Sequence, residues 1–565
     1  AAELRGRIAQ ELSDRLAETP NDRHLRRQTT LVYKAQISTI HAFCAALLRE
    51  SGHLLDLDPD FRLCDEGEHN VLMAQVLEEV LDRRYEGLTE DSPFALLVDT
   101  LSAGRDDSRL AQIVVDIFGR VQSHPDPARW LEGQKGLWTL ENISDLTRTP
   151  WGALLMEDAR RQAMACRDRI LQALELCQKD ELLMVNYVPS LSATLEGLED
   201  FLREKTWDGA CARLPIPFPD VGRKRKRTLA LSPFQEEEVV QAGERVKVAR
   251  KRCKNILERV MEPFARDTAA QMEELALSAP VVEALMDLVL DFQTAFSREK
   301  ARRGVVDFSD LEHFAVKLLT DGEGRPSELA QYCGGHYDEV MVDEYQDTNA
   351  VQNAIFDAIS GGGRRLFQVG DVKQSIYRFR LADPSIFLRK FGAYPDGDRA
   401  EAGEARRRVL SQNFRSRPQV LEGCNDLFRS IMSTEFGELD YDESQKLVPG
   451  KTFLEEPVGP DHLGGSPEQV GKNGPPGWSG PTSAPYALEL DAIDLSFLGE
   501  QEGEKSDKNL LEARFAARRI RELLEGPLMV EEGEGLRPLR PSDVMILLRS
   551  PGPVLPHYLR ALNEE

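Results

Sequence analysis

The sequence has no Cys-x-x-Cys pair. Its eight cysteines stand apart at positions 44, 64, 166, 177, 211, 253, 333 and 424, without accompanying histidine spacing, which argues against a zinc or iron-sulfur site. No secretory signal is visible, so these thiols read as reduced and mostly buried. No apolar run approaches the ~20 residues needed to cross a bilayer, and a soluble cytoplasmic protein is expected. The Gly-x-x-x-x-Gly-Lys-[Ser/Thr] pattern of a phosphate-binding loop is missing too. Positive charge is scarce: 71 Lys and Arg face 96 Asp and Glu, a net charge of -25. That balance at first sight opposes a polyanionic partner, but binding depends on local potential, and a large acidic protein can carry basic channels.

What is present is enough for several domains: 565 residues, 41% of them hydrophobic. Ala1 to Glu18 reads as a helix with Ile8, Leu12 and Leu16 on one face and no cap before it, and Val554 to Glu565 begins a helical pattern with no stop signal. Truncation at both ends is expected. Residues 61–300 are almost wholly helical in pattern, as in Glu66 to Arg83 and Leu154 to Leu183. Within them lies the cationic run Arg223-Lys224-Arg225-Lys226-Arg227, followed by Arg245, Lys247, Arg250, Lys251, Arg252 and Lys254. From 304 to 390 short β-prone runs alternate with helices, the texture of a parallel sheet with crossovers. Strands are predicted at Glu339 to Val342, Leu366 to Val369 and Arg408 to Ser411, then a helix from Pro418 to Met432 with Ser416 as its N-cap. Residues 455–485, rich in Gly, Pro and Ser, read as a linker. A strand at Ala487 to Leu495, a helix at Asn509 to Leu524 and a strand at Asp543 to Leu548 complete the pattern.

Three segments carry chemistry. Val340-Met-Val-Asp-Glu-Tyr-Gln-Asp-Thr-Asn349 ends an apolar strand in two carboxylates, and ligands of open parallel sheets bind beyond such strand ends. Nucleotide hydrolysis needs one acid for Mg²⁺ and one to orient and deprotonate water; the alternative is a solvated acidic pair. Leu366-Phe-Gln-Val-Gly-Asp-Val-Lys-Gln-Ser-Ile-Tyr-Arg-Phe-Arg380 sets Gln374, suited to a γ-phosphate, close to Tyr377, Phe379 and Arg380, suited to stacking on single-stranded bases. The rival there is that the two rings are core aromatics. In Leu410-Ser-Gln-Asn-Phe-Arg-Ser-Arg417, Arg415 lies between a strand and a helix, where a fixed guanidinium can meet transition-state charge. Pro449-Gly-Lys-Thr452 lacks the earlier glycine and the strand of a phosphate loop, and Gly361-Gly-Gly363 lies between helix and strand in the wrong order, so both read as loop or turn.

Together these segments resemble motifs II, III and IV of the superfamily 1 DNA helicases of the UvrD and RecB type. By that resemblance Asp343 and Glu344 serve Mg²⁺ and water, Gln374 and Arg415 contact the γ-phosphate of ATP, Phe414 lies beside the adenine, and Tyr377 and Phe379 touch single-stranded DNA. Ile37-Ser-Thr-Ile-His-Ala-Phe-Cys44 is similar to the DNA-contacting motif Ic, which makes Thr39 and His41 DNA residues; a helix cap and a satisfied imidazole are the alternatives. Leu55-Asp-Leu-Asp-Pro-Asp-Phe-Arg62 with Asp65-Glu66, and Arg303-Gly-Val-Val-Asp-Phe-Ser-Asp-Leu311, look like the AddA branch of helicase/nuclease subunits. For Arg223, Lys224 and Arg225, duplex-backbone binding and an exposed solvated run both stand.

The fold implied is α/β: RecA-like P-loop NTPase motor domains with a large all-helical insertion, incomplete at both ends. Residues 1–60 and 301–400 form the first motor domain, 61–300 the insertion, 401–454 the start of the second, 455–485 the linker and 486–565 a further α/β segment. The resemblance implies ATP and Mg²⁺ as cofactors, 3'-5' translocation, unwinding of duplex ends for recombinational repair, an AddB-like partner in a heterodimer, location at the bacterial nucleoid, and exonuclease activity only in a region beyond these residues. The residues given are expected to be inactive alone. A UvrD-like helicase without a nuclease and a non-catalytic DNA-binding scaffold are the alternatives; the joint presence of Asp343, Glu344, Gln374 and Arg415 speaks against the scaffold.

Overall fold

The computed structural model describes residues 2–101, 108–138, 143–222, 232–434, 436–454, 488–493, 508–533 and 535–565. They divide into two compact units, Ala1–Gly392 and Ala393–Glu565. The first opens with α1 (Ala2–Glu18), α2 (Arg23–Leu31) and α3 (Ile40–Ser51), the last of which turns Cys44, Leu47 and Leu48 inward. A two-residue strand, β1 (Arg62–Leu63), leads into the helices α4 (Glu66–Glu86), α5 (Pro93–Leu101), α6 (Ser108–Val121), α7 (Pro127–Lys135), α8 (Pro150–Cys177), α9 (Glu181–Arg203), α10 (Trp207–Cys211), α11 (Pro233–Val260) and α12 (Thr268–Arg303). The chain returns through β2 (Val305–Val306), which runs parallel to β1 with Arg62 opposite Val305. Gly304 makes the turn possible: it ends α12 at φ 64°, a conformation open to glycine at little cost. The two segments that resemble the AddA branch are thus neighbours in space, at the root of the helical insertion.

Two cores hold the insertion. In α8 the buried residues Ala159, Ala163, Cys166, Ile170, Ala173 and Cys177 alternate by four and three, a heptad seam whose small side chains let α9 and α11 approach closely. Trp207 closes that core: its ring stacks on Phe264 at 4.2 Å and its indole N–H donates to the Arg266 carbonyl at 2.9 Å, so the one polar atom of a buried ring is satisfied. The second core joins α4 to α7 with the latter half of α12, where Phe292 and Phe296 stack at 5.6 Å and Phe118 meets both edge-on.

After the insertion come α13 (Phe308–Leu319), α14 (Glu328–Gly334), β3 (Val340–Val342), α15 (Ala350–Ile359), β4 (Leu366–Gln368) and α16 (Pro384–Ala393). β3 and β4 are parallel, with Met341 opposite Phe367. Strand alternation sends Val340 toward the core made with α3, α13 and α15, and leaves Met341 and Phe367 69% and 57% exposed on the other face. Gly361, Gly362 and Gly363, all with positive φ, turn the chain from α15 to β4.

The second unit contains β5 (Gln412–Asn413), α17 (Pro418–Ile431), β6 (Val448–Pro449), α18 (Lys508–Glu525), the antiparallel hairpin β7 (Met529–Glu532) and β8 (Gly535–Pro538), and α19 (Pro551–Glu564). Four sequence expectations need correction here. Arg408 to Ser411 forms no strand, and pairing begins only at Gln412, opposite Val448. Arg417, not Ser416, is the N-cap of α17, because Pro418 fixes the first helical position and Asn413 Oδ1 already accepts the N–H groups of Arg415 and Ser416. Asp543 ends a single 3-10 turn at Pro541–Asp543, where its carboxylate takes the Arg540 N–H and both terminal nitrogens of Arg537, and Val544 to Leu548 makes no ladder. Residues 488–493 of the strand expected at Ala487 to Leu495 form no strand either. The segment 455–485, expected to be a linker, and the run Arg223, Lys224 and Arg225 lie outside the described residues.

Candidate nucleotide and DNA site

Along β3 and past its C-terminal end runs a cleft of about 650 Å³, whose lining includes Val340, Met341 and Val342 of the strand, Asp343, Glu344, Asp347, Thr348 and Gln352 after it, Ile37, Ser38, Thr39 and Ile40, and Glu3 and Arg7 of α1. Asp343 Oδ1 accepts the Glu344 N–H at 3.0 Å, and Glu344 is held at φ 51°, ψ 42°. A left-handed conformation in a residue other than glycine is unfavourable by about 1–2 kcal/mol and persists only where its surroundings impose it. Burial, reinforced by the charge of Glu344, raises the Asp347 carboxyl above the usual aspartate range. Its Oδ1 is shut off from solvent with no hydrogen-bond partner. Among the described residues no three His, Cys, Asp or Glu side chains are gathered tightly enough to cage a metal ion by themselves. The acids of this strand end suit a hydrated divalent cation instead: Mg²⁺ takes one or two carboxylates and completes its octahedron with water and phosphate oxygens.

Gln346, 1% exposed, ties these acids to the next segment. Its Nε2 donates to Glu344 Oε2 at 2.6 Å, its Oε1 accepts the Asp371 N–H at 2.9 Å, and its carbonyl accepts from Ser375 Oγ at 3.3 Å. Gly370 is needed for this approach, since a Cβ there would lie 2.6 Å from Gln346 Oε1. Asp371 in turn takes the Gln374 amide at 3.0 Å and the Lys373 ammonium at 2.9 Å. Burial pushes its carboxyl up, but the hydrogen bonds from Lys373 and Gln374 outweigh that and leave it below the ordinary range. Gln374 is therefore joined to Glu344 through two intermediates, Asp371 and Gln346. Neither intermediate stands out in sequence reasoning; the available signal was a polar residue inside an otherwise chemical motif.

Tyr377 and Phe379 are not core aromatics. They are 37% and 77% exposed, their centroids lie 5.8 Å apart, and the Arg380 guanidinium sits over both rings at 5.2 and 5.6 Å. Thr39 is the N-cap of α3, accepting the Ala42 N–H, and His41 Nε2 lies 3.1 Å from Glu312 Oε1, so both also have the structural roles weighed against DNA contact. Of the later cations, Arg250 is committed elsewhere: it donates to Ser190 Oγ and to the carbonyls of Phe218 and Pro219. Lys251, Arg252 and Arg259 border a shallow groove on α11 with Val248, Asn255 and Ile256.

A profile of the UvrD/REP helicase N-terminal domain matches residues 1–395. The chain belongs to the UvrD/REP helicase family. Among curated relatives of this UvrD/REP chain, the A-subunit of the ATP-dependent helicase/nuclease of Geobacillus kaustophilus is 33% identical over 97% of the chain and 42% of its own length. Its counterparts in Bacillus pumilus and Pelotomaculum thermopropionicum are each 34% identical, over 100% and 97% of the chain and 44% of their own lengths. The chain thus spans less than half the length of these relatives.

In this UvrD/REP-family chain, Phe414 and Arg415 belong to the second unit. Phe414 is 63% exposed at the end of β5, and its ring lies so close to Gly450 that a Cβ there would be 2.8 Å away. Asn413 Oδ1 fixes the turn in which Arg415 stands by accepting its N–H at 2.9 Å. Lys451, in the segment that resembles the end of a phosphate loop, is paired with Glu531 at 2.7 Å. Among the described residues no helix is long and apolar enough to cross a membrane.

Proposed function

We propose that this chain forms the ATP-hydrolysing, DNA-translocating part of a helicase/nuclease subunit of the AddA kind, working on single-stranded DNA and duplex ends in recombinational repair with an AddB-like partner. The observation that carries the proposal is the linked set Glu344, Gln346, Asp371 and Gln374 beside the acids of the cleft. In this reading residues 1–60 and 301–400 belong to one RecA-like domain and 401–454 to a second, and the protein acts in the cytoplasm at the nucleoid.

Asp343 would hold Mg²⁺, through water, and Glu344 would take a proton from the attacking water. The ion supplies charge neutralisation for the β- and γ-phosphates. A primary amide has two N–H groups, so Gln374 can keep Asp371 with one and meet a γ-phosphate oxygen with the other. Through Asp371 and Gln346, the glutamine senses the same bond network that positions Glu344. Arg415 is assigned to the transition-state charge and Phe414 to the adenine face. Tyr377, Phe379 and Arg380 form a stacking platform for bases, Thr39 and His41 are further contacts for single-stranded DNA, and the exposed cations of α11 serve the duplex backbone.

The test is ATP hydrolysis by the intact protein with and without oligo(dT). Strong stimulation by single-stranded DNA is expected; hydrolysis indifferent to DNA removes the motor reading. Phe379→Ala removes an exposed ring and is expected to weaken oligo(dT) binding by about 5- to 150-fold, the equivalent of ~1–3 kcal/mol per stacked base. Fluorescence anisotropy checks this, and an unchanged dissociation constant would remove Phe379 from the DNA site.

A further inference from the structure

Glu312 takes no part in the hydrolytic chemistry, yet it is a carboxylate buried to 6% exposure on α13, which packs against both α3 and α15. Removing a carboxylate from water is unfavourable unless donors meet it, and buried acids are usually met by arginine or lysine. Glu312 is met differently, by one side chain from each flanking helix. From α3, His41 Nε2 lies 3.1 Å from Oε1; from α15, the Gln352 amide donates to the same oxygen at 2.8 Å. His41 is braced from α13 as well, its ring 4.8 Å from that of Phe308 at 52°. Gln352 stands in the first turn of α15, where Asn349 Oδ1 accepts its N–H, and it lines the cleft together with Asp343, Glu344 and Asp347.

We propose that Glu312 is a positioning residue that couples the nucleotide cleft to single-stranded DNA by holding His41 and Gln352 on one oxygen. The inference rests on the proposed assignment of His41 to the DNA site. An imidazole with one nitrogen against a carboxylate and its ring against Phe308 is restricted in orientation. The His41 side chain keeps 37% of its surface exposed, and that part is held in a fixed attitude toward a strand. Because both side chains meet the same oxygen, a movement of Gln352 in the cleft lining shifts the Glu312 carboxylate and with it the His41 ring packed against it. The path is short: cleft, Gln352, Glu312, His41, DNA.

The test uses the intact protein with Glu312→Gln, a change that keeps size and removes charge. Oligo(dT) affinity without nucleotide is expected to fall about ten-fold, with KM for ATP unchanged. In a His41→Ala background the same substitution is expected to have no further effect, the signature of a coupled pair. Gln352→Leu, which breaks the other half of the link, is expected to lower the DNA-stimulated kcat. Unaltered oligo(dT) affinity in Glu312→Gln, or an equal loss with and without His41, overturns the proposal. Should Glu312→Gln fail to fold, full DNA stimulation in Gln352→Leu overturns it instead. If the unaltered protein itself shows no DNA-stimulated hydrolysis, the motor reading falls and this inference falls with it; stimulation that survives in both variants removes the inference alone.

Discussion

In the intact protein, Glu344→Gln is expected to lower DNA-stimulated ATP hydrolysis by about 10²- to 10⁴-fold, the usual worth of a positioned general base, while ATP still binds. Gln is isosteric with Glu and can still accept the Gln346 amide, so the bond network and the left-handed turn at residue 344 have no steric reason to change. What disappears is the group able to take a proton. The comparison with Asp343→Asn makes the assignment specific. Asp343 is given the cation, so its replacement should weaken Mg²⁺-dependent nucleotide binding as well as turnover, whereas Glu344→Gln should affect turnover alone. Pre-steady-state phosphate release together with binding of a fluorescent ATP analogue separates these outcomes. Turnover in Glu344→Gln within ten-fold of the unaltered protein would place the general base elsewhere.

The parts of this site legible in the sequence are those whose chemistry is local. An apolar run ending in Asp343-Glu344 marks both the strand and where it stops, and β3 ends at Val342 accordingly. Exposure could not be read the same way. Tyr377 and Phe379 could equally have been core residues, and only the structure shows them at the surface with Arg380 across their faces. Strand edges failed where a partner was needed: Val409 and Leu410 are β-prone but find no ladder, since pairing depends on where Val448 arrives from far along the chain. Residues that act by joining distant segments were the least legible. Gln346, Glu312 and Lys300 have partners 25, 40 or 7 positions away, and no periodicity marks them. Arg250 shows the reverse error, a cation counted with a basic run but used to pin carbonyls at Phe218 and Pro219.

Lys300→Met is expected to destabilise the first unit by about 3–5 kcal/mol, the loss typical of removing one partner from a buried ion pair. Lys300 is 4% exposed at the end of α12, where its ammonium reaches both Asp307 and Asp310 at 2.6 Å and lies over the Phe296 ring. Those two acids form a capping box at the start of α13, each accepting the other's backbone N–H, and His69 of α4 approaches Asp307 at 3.5 Å. The cluster therefore fastens the helical insertion to the helix that carries Glu312. Burial raises the Asp307 carboxyl, but the Lys300 charge and hydrogen bond prevail and hold it below the ordinary range; burial and the neighbouring Asp307 push Asp310 up. Without the ammonium both acids are pushed upward. A carboxyl whose folded value exceeds its unfolded value binds more protons in the folded state, so its effect on stability worsens as pH rises from the unfolded value to the folded one. The deficit of Lys300→Met should accordingly be smallest near the ordinary aspartate range and grow toward neutral pH. The triple variant Lys300→Met, Asp307→Asn, Asp310→Asn should regain most of the loss, because asparagine still caps a helix and no unpaired charge is left inside. Urea unfolding of the intact protein, followed by tryptophan fluorescence and circular dichroism at several pH values, reads all three. A deficit that is below about 1 kcal/mol, or that shrinks as pH rises, would show that the cluster is solvated and fastens nothing.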